Sequence, residues 1–328
     1  MLNLTFEQLV NAQFKLYEGN PVIRCFGAST IVADPSLLTP DLTPDGKWRL
    51  YAHTLTGVHG FVSDDGISFR HTGRILSRAM RPDINKVGDR YLLFYERLQP
   101  LLPRAASLLG GTWKSDVYVV ESKDLIGFSE PRPVLRFGSE YERVGKKGHS
   151  VSNPFFLPVE DGYRLYYSAG LTYIPDCRFD EPTYICCAQS KCPDRDFVRL
   201  PEPIIRPDDK PTGDKVRNAA DLCCGCLKVY RLADCYVGLQ NGIYDDNGQS
   251  KSAIRLLRSD DGLAFSFVKT LLAPQMCGDS DWMAQFVYAS HLVRTGDKLQ
   301  LYFNARNTAN ILAGREHIGF AEAEIPKA

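Results

Sequence analysis

The sequence predicts an all-β fold, a five-bladed β-propeller made of four-stranded antiparallel blades. A strand-and-turn phrase returns at nearly even spacing along the chain, which indicates a repeat architecture. Helical periodicity is weak apart from a short stretch between Phe6 and Gln13. Five repeats of about 65 residues, the usual scale of a four-stranded unit, fill the 328 residues almost completely. We therefore expect one domain that covers residues 1–328.

The recurring phrase is a strand that ends in serine, often followed by Asp-Gly and an aromatic residue. It occurs at Ser63, Ser122, Ser190 and Ser259, and Ala323 takes the serine position in the last copy. The intervals between copies are 59, 68, 69 and 64 residues. Each copy marks one repeat unit.

Three further strands are predicted around each phrase. The first is an apolar segment, seen as ADPSLL, RPDINKV, SNPFFLPV, CCGCLKV and YASHLV. The second is rich in aromatic residues and enters from a Gly or Asp turn, which is a hairpin signal: GKWRLYAH, GDRYLLFYE, DGYRLYYSA, ADCYVGLQN and GDKLQLYFNA. The fourth follows the serine phrase as FRHTGRIL, FSEPRPVL, FVRLPEPII and FSFVKTLL. Four short strands in meander order are typical of a propeller blade.

The fifth unit ends at its third strand, so its outer strand must come from elsewhere. Residues 13–24, QFKLYEGNPVIR, resemble FVRLPEPIIRP at residues 197–207, an outer strand of another unit. We predict that this N-terminal segment supplies the outer strand of the last blade. It would close the ring and cover a sheet edge that otherwise invites aggregation.

Composition excludes several classes of partner. Lys plus Arg and Asp plus Glu both number 39, so the net charge is zero and no broad basic face is available for nucleic acid. No apolar run reaches the roughly 18 residues of a membrane span, and the N-terminus lacks a signal-peptide pattern. We therefore expect a cytoplasmic protein whose ten cysteines are reduced thiols. The C-C-G-C run lacks zinc-ribbon spacing, so no metal and no cofactor are predicted.

In a propeller the first strands of the blades surround the axis, so residues at their ends are candidate site residues. Aligning those strands by their trailing apolar residue places Asp34, Asp83, Asn153, Gly225 and Ala289 at one position. Asp in such dipeptides often caps a turn. Carboxylates gathered at one axis instead favour the acid–base chemistry of sugar cleavage.

Polar residues near the same strands are candidates for substrate binding. Arg81, His149 and Arg217 lead directly into axis-facing strands and could bind sugar hydroxyls or an anion. Trp113 follows the long insertion LQPLLPRAASLLGGTW and is a candidate to stack on a sugar, although a large aromatic residue is more often part of a core. Further carboxylates are Glu142, Glu316 and Glu96, of which Glu96 is the best alternative acid because it ends an aromatic strand.

The phrase ADPSLL at Asp34, the turn-and-aromatic strands and the five units resemble the clan of five-bladed propeller glycosidases. That clan includes the family-43 arabinanases and xylosidases and the family-32 invertases. The resemblance implies a general base at Asp34, a tuning Asp in the third blade and a Glu as general acid in the fourth. This chain has Asn153 at the tuning position, and Asp221 is the carboxylate nearest to the acid position. Our working hypothesis is Asp34 as base, Asp221 as acid and Asp83 as the orienting group.

The sequence thus predicts a glycoside hydrolase acting on a small oligosaccharide or glycoside. A glycoside phosphorylase similar to the family-130 propellers is one alternative, since Arg81, His149 and Arg217 could bind inorganic phosphate. A non-catalytic carbohydrate-binding propeller is another, because fold does not imply function. The sugar, the linkage and the oligomeric state stay open.

Overall fold

A computed structural model of the chain describes residues 2–99, 113–207, 221–276 and 281–327. Strands dominate these ranges, so the predicted all-β class is confirmed. The α-helix α1 covers Phe6–Asn11, and within the described ranges no helix has the length and apolar character needed to cross a membrane. Four short 3₁₀ helices cover Pro40–Leu42, Glu140–Glu142, Pro274–Met276 and Asp281–Met283.

The strands follow in chain order. They are β1 Lys15–Leu16, β2 Ala33–Leu38, β3 Trp48–Thr54, β4 Gly57–Ser63, β5 Arg70–Ser77, β6 Ala79–Val87, β7 Arg90–Leu98, β8 Lys114–Ser122, β9 Arg132–Leu135, β10 Arg143–Val144, β11 Gly148–Val159, β12 Gly162–Ile174, β13 Phe179–Ser190, β14 Val198–Arg199, β15 Asp221–Arg231, β16 Tyr236–Asp246, β17 Gln249–Ser259, β18 Ser266–Leu272, β19 Phe286–Thr295, β20 Lys298–Arg306 and β21 Glu316–Glu324.

Consecutive strands pair antiparallel in five groups. The groups are β2 to β5, β6 to β9, β11 to β14, β15 to β18, and β19 to β21 joined by β1. Short parallel contacts link β8 to β11 and β17 to β19, so neighbouring groups share sheet edges. Most residues of the first strand of each group, β2, β6, β11, β15 or β19, are buried.

The recurring serine phrase has a hydrogen-bonding explanation. In the first group Ser63 Oγ accepts the backbone N–H groups of Asp65 and Gly66, while Asp65 Oδ1 accepts those of Ile67 and Ser68. These bonds hold the pKa of the Asp65 carboxyl below its usual range. The same arrangement recurs after Ser122 and Ser259. The repeat therefore records a side-chain-stabilised turn that satisfies backbone donors at the end of a strand.

The N-terminal segment lies along the last group. Lys15 and Leu16 pair antiparallel with Ala321 and Glu322 of β21, and Ile23 forms a bridge with Ile318. Upstream, Leu4 and Leu9 are fully buried in the largest apolar cluster, which also holds side chains of β15 to β20. This segment covers the outer edge of β21 and adds to the core.

Deleting residues 1–24 is expected to abolish cooperative folding, because it exposes both the edge of β21 and the pocket of Leu4 and Leu9. Thermal unfolding followed by circular dichroism tests this, with deletion of residues 326–328 as the control. A soluble truncated chain that melts cooperatively near the parent temperature would contradict it.

The cysteines of the described ranges are free thiols. Seven of these nine residues are buried, Cys177, Cys186, Cys187, Cys223, Cys224, Cys226 and Cys235. Burial raises the pKa of Cys226, Cys186 and Cys187 to about 12, so these thiols are protonated and behave as small apolar groups. No cluster of three or more His, Cys, Asp or Glu side chains suited to a metal ion is present in the described parts of the chain.

Candidate functional site

The first strands of four groups contain the same local distortion. Asp34, Arg81, Asn153 and Gly225 have φ values of 53°, 51°, 46° and 65°, in the left-handed region. The pairing register of each strand shifts at this point, as in a β-bulge. A non-glycine residue held at positive φ costs roughly 1–3 kcal/mol and is typical of functional sites. All four residues line one cavity.

The bulge corrects the alignment made from sequence. Arg81, not Asp83, occupies the position equivalent to Asp34, so the alignment of this strand shifts by two residues. Aligning by the trailing apolar residue failed because Val87, the residue used in this strand, lies six positions after Arg81, whereas Leu38 lies four positions after Asp34. A proline follows the distorted residue at Pro35, Pro82 and Pro154, and this shared X-Pro pattern would have given the correct register.

The cavity contains about 700 Å³ of space, including its part open to solvent. Its apolar lining includes Met80, Phe179, Pro182, Ala289 and Ile311. Its polar lining includes Asp34, His53, Arg81, Asn153, Glu181, Asn241, Tyr288, Asn304, Arg306 and Glu316. Convergent polar groups on an apolar wall are the usual form of a small-molecule site.

Asp34 is the carboxylate that the sequence places at the axis, and it does line the cavity. Its Oδ2 lies 3.3 Å from His53 Nδ1, and its backbone N–H donates to Asn304 Oδ1 at 3.1 Å. Burial lowers the pKa of His53 to about 4, and the positive charge of Arg81 adds to this effect. His53 is therefore neutral at pH 7, so its contact with Asp34 is not an ion pair.

Glu316, the first residue of β21, is a second carboxyl group of the cavity. Only 6% of the residue is exposed, and its Oε1 accepts a hydrogen bond from Asn304 Nδ2. Burial raises the pKa of Glu316 to about 7. The positive charge of Arg306 opposes this shift, and the negative charge of Asp34 adds to it. Asn304 thus connects the Asp34 backbone to a carboxyl group that holds a proton near neutral pH.

Glu181 of β13 is the third carboxyl group. Its Oε1 accepts a hydrogen bond of 3.1 Å from the Tyr288 hydroxyl, which itself accepts one of 2.7 Å from Arg306 Nη2. The Arg306 guanidinium also lies 4.7 Å from the centre of the Phe286 ring. Burial raises the pKa of Glu181, although Arg306 and Arg81 oppose the shift.

Arg81 is held in place by Glu96. Its Nη1 lies 2.6 Å from Glu96 Oε2, and the Glu96 side chain is fully buried behind the cavity wall. Burial by itself would lower the pKa of Arg81, but the charges of Glu96 and Asp34 raise it, so the guanidinium is charged. A buried charge needs such a partner, and a guanidinium fixed this way can still donate into the cavity.

No protein-family model matches the chain, and no curated protein sequence does either. Solved structures do match its fold over nearly the whole length. The catalytic domain of the Coprinopsis cinerea GH62 α-L-arabinofuranosidase is 13% identical, with a TM-score of 0.65 over 95% of this chain and 97% of that one. The GH43_1 enzyme from Xanthomonas citri complexed with xylotriose is 14% identical, with a TM-score of 0.56 over 96% and 91%. A structure from the GH130 family of mannoside phosphorylases, which contains hydrolases of β-1,2 mannosidic linkages, is 14% identical, with a TM-score of 0.59 over 94% and 93%.

The fold is that of the propeller glycoside hydrolases. At 11–15% identity this likeness concerns the path of the chain, and the chemistry has to be argued from the side chains of the site. The resemblance expected from ADPSLL and the repeated hairpins is therefore confirmed at the level of the fold.

Other residues singled out from the sequence lie away from the described cavity lining. Asp83 is completely buried, and its Oδ2 accepts from the backbone N–H of Phe156 at 2.8 Å and from Asn85 at 2.7 Å. Asp221 forms a buried ion pair with Arg255 at 2.9 Å. Because their oxygens bind neighbouring strands, both carboxylates are held outside the cavity.

Three candidate binding residues have separate surroundings. His149 stacks on Phe137 at 4.9 Å and lies 3.2 Å from Asp116 Oδ1, away from the residues that line the cavity. Trp113 is 4% exposed and donates from Nε1 to Ser115 Oγ, so its faces belong to the core. Arg217 and the long insertion before Trp113 lie outside the described residues.

Glu181 was missed from the sequence because an unusually long hairpin delivers it. β12 and β13 stay paired from Tyr163–Ser190 to Ile174–Phe179, well past the point where β11 stops pairing at Ala169. Asp176 near the tip accepts from Ser250 N–H and Oγ at 2.8 and 2.6 Å. This contact fixes the tip to the fourth group of strands. The sequence signal was the long spacing between DGYRLYYSA and the next serine phrase. That spacing indicates an extended hairpin, but it does not predict which part of the fold the hairpin packs against.

Proposed function

We propose that the five groups of strands are the blades of a closed five-bladed β-propeller forming one domain. The pairing of β1 with β21 joins the two ends of the chain in one blade, which supports a closed ring. The likeness to propeller hydrolases over at least 90% of both chains supports the same arrangement.

We propose that the chain is a glycoside hydrolase that cleaves a small glycoside or oligosaccharide in the axial cavity. The observation that carries this proposal is the convergence of Asp34, Glu181 and Glu316 on one cavity with raised pKa values at both glutamates. Glycosidic cleavage needs one protonated carboxyl group and one ionised carboxylate beside the scissile bond. Phe179 and Ile311 provide the apolar surface against which a sugar ring can pack.

In the mechanism we propose, Glu316 is the general acid and Asp34 the general base. Glu316 donates its proton to the leaving oxygen, since a carboxyl group with a pKa of about 7 holds a proton at neutral pH. Asp34 takes a proton from the attacking water. Glu181 acts on Glu316 through its negative charge, which contributes to the raised pKa of that group. Arg81 and Asn153 bind substrate hydroxyl groups.

Charge favours hydrolysis over phosphorolysis. The described lining carries three carboxyl groups and only two guanidinium groups, those of Arg81 and Arg306. Arg81 is already paired with Glu96, and Arg306 is bonded to Tyr288 beside two glutamates. Binding of a phosphate dianion needs an excess of unpaired positive charge, which this arrangement does not supply.

A panel of p-nitrophenyl glycosides and short oligosaccharides tests the proposed function. Arabinofuranosides, xylosides and β-1,2-linked mannosides are tested first. Each is assayed with and without inorganic phosphate at about 10 mM, which would largely saturate a site with a dissociation constant of about 1 mM. We expect release of sugar at equal rates in both conditions. Turnover only with phosphate would establish a phosphorylase, and saturable oligosaccharide binding without turnover would establish a binding protein; either result overturns the proposal.

A further inference from the structure

A second layer of residues, most of them polar, lies next to the cavity on the same five strands. Its members are Ser36, Asp83, Phe155, Lys228 and His291, here called the axial layer. Each follows a cavity-lining residue by two positions: Asp34, Arg81, Asn153, Cys226 and Ala289, respectively. Contacts and charges connect these residues: Lys228 Nζ lies over the Phe155 ring, Phe155 lies beside His291, and Ser36 and the charge of Lys228 both act on the pKa of Asp83.

The axial layer is buried and contains one acidic and one basic side chain. Asp83 and Ser36 have no exposed surface, and 3% of Lys228 is exposed. Burial raises the pKa of Asp83, and the positive charge of Lys228 acts against this shift. Burial likewise lowers the pKa of His291 to about 3, helped by the charge of Lys228, so this ring is neutral. The layer therefore contains one acidic side chain, Asp83, and one basic side chain, Lys228, beside a neutral imidazole.

These two charges do not touch. Within the described residues, Lys228 Nζ forms no ion pair and no hydrogen bond, and its recorded neighbour is the Phe155 ring, 5.1 Å from the ring centre. Asp83 Oδ1 and His291 Nδ1 are buried without a partner at hydrogen-bond geometry, although the Ser36 hydroxyl lies near enough to lower the pKa of Asp83. β6 and β19 thus each hold an unsatisfied polar atom near Lys228 of β15, and such atoms are expensive to bury alone.

Three aromatic rings lie together beside Lys228. Phe155 lies 5.5 Å from Tyr230 and 6.5 Å from His291, and Tyr230 lies 6.3 Å from His291, measured between ring centres. The Tyr230 hydroxyl already accepts the backbone N–H of Leu292 at 2.9 Å. These rings therefore form an apolar boundary of the layer beside Lys228 Nζ.

We propose that the axial layer is a binding site for internal water, which bridges Lys228 Nζ, Asp83 Oδ1 and His291 Nδ1. The ligand must hydrogen-bond to an amine, a carboxyl oxygen and an imidazole nitrogen, and water can both donate and accept. A cation would meet the basic Lys228, and an anion would meet the acidic Asp83. Buried waters are characteristically bound by about three otherwise unsatisfied polar groups. This role also accounts for a buried aspartate outside the catalytic cavity.

A crystal structure of the full chain at about 1.5 Å, with a second crystal soaked in sodium bromide, tests the site directly. We expect water density within about 2.6–3.2 Å of both Lys228 Nζ and Asp83 Oδ1, and no anomalous bromide signal there. An anomalous bromide peak in the layer would show that the site binds an anion, and the proposal of a water site would be wrong. A direct Lys228–Asp83 contact, or density with the short distances of a metal ion, would equally overturn the proposal.

Stability measurements give a second readout in solution. Lys228→Met leaves Asp83 without its opposite charge and should lower Tm by several degrees, on the order of 5 °C. The double variant Asp83→Asn with Lys228→Met should lose less than the sum of the two single losses, because the coupled charges are removed together. Lys298→Met, on the surface, is the control and should change Tm by about 1 °C or less. Additive losses would show that the two charges are not coupled through the layer.

Discussion

Asp34→Asn is expected to abolish glycoside turnover while the chain stays folded. An amide of the same shape keeps the contacts near His53 and leaves untouched the backbone bond to Asn304, which does not involve the side chain. It cannot take a proton from water, and loss of such a group costs roughly 10²–10⁴ in rate. The measurement is kcat on the best glycoside of the panel, with circular dichroism to confirm folding.

Asp194→Asn is a matched control for Asp34. Asp194 is also a buried aspartate, 2% exposed, but it pairs with Arg132 at 2.6 Å and is not part of the cavity lining. We expect its kcat to stay within about twofold of the parent value, a change well under 1 kcal/mol. Full activity in Asp34→Asn would remove the proposed mechanism, whereas equal losses in both variants would point to a general structural effect.

Glu316→Gln is expected to remove activity and also to change how stability depends on pH. In the folded chain Glu316 has a pKa of about 7, above the 4.5 of an unperturbed glutamate. The folded state therefore holds a proton that the unfolded state releases, and stability falls as pH rises from about 4.5 to about 7. The glutamine side chain of the variant does not titrate. The variant should therefore lack this part of the pH-dependent decrease in the free energy of unfolding, which amounts to up to about 3 kcal/mol.

Activity gives the second signature of Glu316. Because the acid must be protonated, kcat of the parent enzyme should fall as pH rises through about 7. Urea unfolding at pH 5 and pH 8 and a pH–rate profile measure the two effects. Glu142→Gln, which removes a fully buried glutamate paired with Arg199 at 2.6 Å, is the control for burial. A parent enzyme with unchanged kcat up to pH 9 would exclude Glu316 as the acid.

The fold could be predicted from the sequence because the repeat leaves a local record in each unit. The serine phrase marks a turn whose hydrogen bonds are made by side chains two or three residues away, so Ser63, Ser122 and Ser259 can be found without knowing their neighbours in space. The resemblance of residues 13–24 to the outer strand at residues 197–207 could likewise be found by comparing two short segments of sequence. Lys15 and Leu16 do pair with β21.

The site could be predicted only in part because strand and hairpin lengths differ between the repeats. Asp34 was found since it belongs to a repeated strand, but the strand that ends at Val87 runs two residues further, so Asp83 was assigned the position that Arg81 holds. Asp221 was predicted to be the acid only because it is the carboxylate nearest in sequence to the expected acid position. In the fold it pairs with Arg255. Glu316 was noticed among several carboxylates without a reason to prefer it.

What the sequence alone determined is the all-β class, the repeat and one carboxylate that lines the cavity, Asp34. Only the tertiary structure decided which other carboxyl groups share the cavity with it. Glu181 arrives on the extended β12–β13 hairpin and Glu316 on the last strand, about 150 and 280 residues away from Asp34 along the chain. Their raised pKa values come from burial and from the neighbouring charges, and both arise only when strands distant in sequence meet.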